Sequence, residues 1–149
     1  MNTIKYKKLN LQEGDTLLDM GCGEGRHSIG ALLETSANVI GLDLSQNDLS
    51  TAKSRLKDFD ISDLQTSCNF GVANINDIPI ENSKLDAVMC SEVLEHIDSP
   101  QESIEELIRV LKPGGVLALS VPRYLPELIC WKLSKEYSKT PGGHVRIFK

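Results

Sequence analysis

The sequence predicts an α/β fold: a doubly wound, mostly parallel sheet with helices on both faces. Two observations predict it. Five short apolar runs alternate with helical patterns along the chain, as expected of strands covered on both sides and joined by crossover helices. The first run, Leu17-Leu18-Asp19-Met20, breaks into Gly21-Cys22-Gly23-Glu24-Gly25 before a helical pattern begins. Such sheets hold nucleotide-type ligands at that kind of junction.

The elements follow in order. Strands are expected over 16–20, 38–43, 68–73, 85–91 and 116–121. The first helix presents Ile29, Leu32 and Leu33 at the i, i+3, i+4 spacing of a packed face. In the second, Ser45 and Asp48 make a capping-box-like start before the stripe Leu49, Ala52 and Leu56. The third opens with Ser99 as cap, Pro100 at the first helical position and Glu102 behind it, ahead of Ile104, Leu107, Ile108 and Leu111. Lys112-Pro113-Gly114-Gly115 stops it, because proline cannot continue a helix and glycine allows the reversal. After the fifth strand, Leu125, Leu128, Ile129 and Leu133 make a further stripe read as core, with Trp131 off it. No repeat, linker or low-complexity stretch interrupts this pattern, so the 149 residues read as one domain.

Composition narrows the function. A net charge of −5 and a pI near 5.2, with no Lys/Arg cluster, leave no electrostatic footprint for nucleic acid. Lys5, Lys7 and Lys8 precede no signal-peptide core, and no apolar stretch approaches the roughly 20 residues of a membrane span, so a cytoplasmic location is expected. Cys22, Cys68, Cys90 and Cys130 are scattered, with neither a C-x-x-C pair nor a histidine at ligand spacing. They read as four reduced thiols, and no metal is expected.

The glycine spacing selects the ligand. A dinucleotide loop needs its third glycine where Arg26 stands. A phosphate P-loop would need Gly-Lys-Ser/Thr, and Glu24 would oppose a pyrophosphate. Asp-x-Gly-x-Gly-x-Gly suits instead a ligand with a positive centre and no phosphate. Asp43 closes the second strand 20 residues after Gly23, where an acid gripping ribose hydroxyls is expected. Removing it should cost roughly 1.5–3 kcal/mol per charge-assisted bond.

The run from Leu18 to Gly25 resembles the first motif of class I S-adenosylmethionine-dependent methyltransferases. Ser91-Glu92-Val93-Leu94-Glu95-His96-Ile97 and Arg109-Val110-Leu111-Lys112-Pro113-Gly114-Gly115 resemble their small-molecule, type 11-like branch. The resemblance implies a Rossmann-like core with strand order 3-2-1-4-5, S-adenosylmethionine as cofactor, S-adenosylhomocysteine as product and a small-molecule acceptor. It assigns the loop residues Asp19, Gly21, Cys22, Gly23 and Gly25 to the cofactor, with Asp19 and Glu24 as an acidic cradle. It adds Asp43 and Leu44 at the second strand. It places Asn74 and Ile75 against the adenine, where the family often carries Asp. An amide oxygen still accepts the exocyclic amine, and Asp77 reads as a turn residue. Ser91 and Glu92 would lie over the methionine end. His96 is the candidate general base, and a structural hydrogen-bonding role competes with it.

Two other functions stay open: a catalytically incomplete cofactor-binding or partner subunit, and an NAD(P)-dependent oxidoreductase, which Arg26 disfavours. The family's sheet has seven strands, ending in an antiparallel hairpin beside the fifth. This chain stops about one helix after its fifth strand, so it reads as C-terminally incomplete, or an oligomer or partner covers the edge of the strand over 116–121. The tail over 140–149 resembles a loop entering a further element, with His144 and Arg146 as ordinary connection or acceptor contact. The segment from Met1 to Gly14, ahead of the first strand, leaves little for the N-terminal helices with which the family covers its cofactor.

Overall fold

The computed structural model of the chain describes residues 3–122. Its strands are β1 (Thr16–Met20), β2 (Asn38–Asp43), β3 (Cys68–Val72), β4 (Leu85–Ser91) and β5 (Leu111–Ser120), and its helices α1 (Arg26–Glu34), α2 (Gln46–Leu56) and α3 (Pro100–Val110). They form one sheet in the order β3-β2-β1-β4-β5, every pairing parallel. The expected strand order and class hold.

Alternation along β1 feeds two cores. Leu18 and Met20 face the side closed by Leu107 and Val110 of α3. Leu17 faces the other side, with Ala31 and Leu32 of α1. Fully burying one such leucine contributes about 1.5–3 kcal/mol. A 3₁₀ helix at Tyr6–Leu9 adds buried Ile4, Tyr6 and Leu9 to the α1 face, which sequence reading did not anticipate.

Several expectations are corrected. Leu33 and Ile108 are exposed, and α3 ends at Val110, so that Leu111 opens β5. On α3 the fully buried positions are Ser103, Leu107 and Val110, spaced i, i+4, i+7. A buried serine therefore turns the stripe away from Ile108. Ser45 caps α2, accepting the Asp48 N–H at 3.3 Å, whereas Ser99 makes no side-chain cap bond. The turn at Lys112–Gly115 lies inside β5: Leu111 pairs with Leu85 and Val116 with Ala87, so four residues arch out opposite Asp86 alone. Lys112 Nζ and the Thr16 N–H both bond the Asp86 carboxylate, at 2.6 and 3.0 Å.

Among the described residues β3 and β5 are the sheet's edges, with Val72 and Leu119 exposed. No described helix is long and apolar enough to cross a membrane, and no described His/Cys/Asp/Glu group could hold a metal. The readings at Leu125, Leu128, Ile129 and Leu133, at Cys130 and Trp131, and at His144 and Arg146 lie outside the described residues.

Candidate functional site

The carboxyl ends of β1, β2 and β4 converge on the glycine loop. Gly21, Gly23 and Gly25 all have positive φ, at 76°, 51° and 80°. The loop consumes its own donors. Gly21 N–H and Cys22 N–H both bond Leu42 O, at 2.7 and 3.0 Å, Gly25 N–H bonds Cys22 O at 2.9 Å, and Gly23 N–H bonds Asp43 Oδ2 at 2.8 Å. A phosphate nest needs such N–H groups turned outward; these four are spent within the protein. At Gly25 a Cβ would meet Ala52 Cβ at 2.8 Å, and Gly25 borders neither cavity described below, so its part is packing rather than ligand contact. At Gly23 nothing stands within 4 Å of where a Cβ would be. That side of the loop is open.

A cavity of about 580 Å³ lies against the loop, within the usual size of a small-molecule site. Asp43, Asp48 and Glu92 bring carboxylates to its wall, and neither Lys nor Arg lines it. Its apolar side comes from Met20, Ile75, Val93 and Ile97, with Leu44 exposed at the edge. Asp43 serves both sides of this junction. Besides the Gly23 N–H on Oδ2, it accepts the Ser45 N–H on Oδ1 at 2.8 Å, tying the loop to the start of α2. Each oxygen keeps a second lone pair for a ligand hydroxyl.

Asn74 and Ile75 line the cavity and Asp77 does not. Asn74 Oδ1 accepts the Asn76 N–H at 3.0 Å. Glu92 holds φ 58°, a left-handed conformation costing on the order of 1 kcal/mol for a residue with a side chain. Ser120 holds it there, accepting the Glu92 N–H at 2.9 Å on its carbonyl and donating its hydroxyl to Oε1 at 3.1 Å. His96 also lines the cavity, its Nε2 3.9 Å from Oε1 of buried Glu95.

Gly21 separates this cavity from a smaller one of about 310 Å³, bordered by Asp19, Cys22, Gly23, His27 and Ser91. Ser91 and Glu92 therefore face different cavities. The acidic cradle expected here does not form. Asp19 is 1 % exposed and accepts the Ser28 hydroxyl at 2.6 Å, and burial pushes its carboxyl up to about 7 against those Ser28 bonds. Glu24 pairs with Arg55. Burial raises the Cys22 thiol well above its ordinary range.

His27 is the site residue that sequence reading missed. It is buried at the start of α1, with Nδ1 3.1 Å from Tyr6 Oη and Nε2 3.1 Å from Thr3 Oγ1 and 3.4 Å from Ser91 Oγ. Burial, then the neighbouring Arg26 charge, lowers its pKa to about 4, so the ring is neutral. It ties the N-terminal segment to the ends of β1 and β4. Its position directly after Arg26 was the available signal.

A family model described as a methyltransferase domain matches residues 11–145. The chain belongs to this methyltransferase domain family. The domain is similar to a demethylmenaquinone methyltransferase of Oceanobacillus iheyensis, 37 % identical over 112 residues, covering 73 % of this chain and 45 % of that one. A solved complex of the Haloferax volcanii Trm112 methyltransferase activator with a methyltransferase described as putative gives a TM-score of 0.73 at 26 % identity, covering 90 % of this chain and 55 % of that chain. Geranyl diphosphate methyltransferase in complex with SAM gives 0.68 at 26 % identity, covering 77 % and 46 %. The methyltransferase domain spans half or less of the length of the curated relatives it matches.

Proposed function

We propose that this methyltransferase domain binds S-adenosylmethionine across the glycine loop and transfers its methyl group to a small-molecule acceptor, leaving S-adenosylhomocysteine. One observation carries the reading. The cavity at the strand ends presents three carboxylates and no cation, beside a loop whose donors are already spent. That combination suits a cationic nucleoside without phosphates and opposes a dinucleotide, whose pyrophosphate would meet like charge. The open side of Gly23 gives the ligand its room.

Asp43 accepts the ribose hydroxyls, Leu44 and Ile75 close on the purine and Asn74 faces its edge. Gly21 and Gly23 form the floor of the loop, which Asp19, Cys22 and Gly25 support from beneath or behind. Ser91 and Glu92 lie towards the methionine end. The bound cofactor supplies an already activated methyl group on a sulfonium. What remains for the chain is to align the acceptor and exclude water, for which Met20, Val93 and Ile97 provide apolar wall. His96 accepts a proton from an acceptor hydroxyl or amine that needs to lose one. The reading places one domain in the cytoplasm, with a partner or second copy over the β5 edge. The likeness to the activator complex supports that last element, and with it the alternative of a partner-dependent subunit.

Titration calorimetry tests the assignment directly. Heat from S-adenosylmethionine and S-adenosylhomocysteine is expected, with none from NAD. Binding of NAD alone would refute the reading, and cofactor binding without turnover on any acceptor would favour the subunit alternative.

A further inference from the structure

The connection between β3 and β4 reaches the cavity as Asn74-Ile75-Asn76, and α3 holds it from behind. Asn74 Oδ1 accepts the Asn76 backbone N–H at 3.0 Å, and Asn76 Oδ1 accepts the Ser103 hydroxyl at 2.6 Å. Asn74 and Asn76 line the cavity, whereas Ser103 is fully buried in α3 and does not border it. A primary amide has almost the same shape when turned over, but the turn exchanges an acceptor for two donors. A backbone N–H can be met only by the oxygen. The Asn74 amide is therefore held in one of its two orientations, by a residue that Ser103 in turn holds.

We propose that Ser103, acting through Asn76, fixes the orientation of the Asn74 amide and so makes this site discriminate 6-amino from 6-oxo purines. The inference rests on the cofactor reading above and names what sets the selectivity of its purine end. A free amide would turn its oxygen to a 6-amino group or its NH₂ to a 6-oxo group and accept both ligands. A pinned amide matches one and leaves the other against an unpaired dipole, the situation in which hydrogen-bonding sites discriminate strongly. Ser103 is a positioning residue, since it acts on the ligand only through two asparagines.

Calorimetry on the full chain with S-adenosylhomocysteine and its 6-oxo analogue, S-inosylhomocysteine, tests this. Wild type is expected to prefer the adenosyl ligand by about tenfold or more, and Ser103→Ala and Asn76→Ala each to narrow the ratio to about threefold or less. The double variant should go no further, because both changes break one relay. Asn76 is exposed, so its variant remains informative if the buried serine's variant fails to fold. A folded Asn76→Ala that keeps the full ratio, or a double variant whose losses add, overturns the inference. A wild type that binds both ligands equally overturns it while leaving the cofactor reading intact. A wild type that binds neither overturns both.

Discussion

Asp19 and His27 flank the glycine loop, at the end of β1 and the start of α1, and titrate with opposite sign. Asp19 is raised from 3.8 to about 7, so the folded state holds a proton that the unfolded chain has released. Stability from this group falls as pH rises from about 4 to 7. His27 is lowered from 6.5 to about 4, so acid favours the unfolded chain and stability rises with pH over about 4 to 6.5. The two oppose each other up to about pH 6.5, and Asp19 acts alone just above it. Scanning calorimetry should find the wild-type melting temperature falling between about pH 6.5 and 7.5, with no such fall in Asp19→Asn. In His27→Gln the decline should begin near about pH 4. Superimposable wild-type and Asp19→Asn profiles would contradict the buried carboxylic acid. Asp43 was legible in the sequence because its distance from Gly23 along the chain reflects one β-α-β unit. The burial of Asp19 was not, because it depends on Ser28 and on neighbouring strands.

At the level of elements, α3 is the clamp that positions the purine wall. Arg109 donates to Ile80 O and Asn82 Oδ1 from Nη1 and to Ile78 O from Nη2, and it is braced by Glu106 on both Nε and Nη2. Glu106 Oε1 also accepts the Ile78 N–H at 2.8 Å. A lysine cannot reproduce this planar fork. Arg109→Lys should therefore cost about 1–3 kcal/mol in urea unfolding and speed amide exchange over 78–82. Unchanged exchange there would show that the loop holds itself. Sequence reading had Arg109 only within a resemblance to a family motif, since its loop partners Ile78, Ile80 and Asn82 lie far back along the chain. The Ile108 expectation failed for a related reason: hydrophobic periodicity does not count Ser103, whose hydroxyl is satisfied across the fold by Asn76.

The whole molecule places two cavities on either side of one loop, the larger acidic and cation-free, the smaller closed by a histidine hub. A ligand that binds only the folded chain raises its stability by mass action. S-adenosylhomocysteine at about 100 times its dissociation constant should thus add about 2.7 kcal/mol, read as a higher melting temperature, and NAD at the same concentration should add nothing. An equal shift with NAD would count against the adenosyl assignment.

By itself the sequence determined the elements, the class of sheet, the loop's preference against pyrophosphate and the carboxylate at Asp43. These depend on local periodicity, backbone allowance and spacing within one β-α-β unit. Tertiary structure alone decided that Gly25 packs while Gly23 faces space, that Asp19 is buried, that Glu24 is paired and that Ser103 reaches Asn74 through Asn76. Those outcomes depend on which distant residues the order β3-β2-β1-β4-β5 and the packing of α3 bring within bonding distance, and the contacts run between side chains many residues apart.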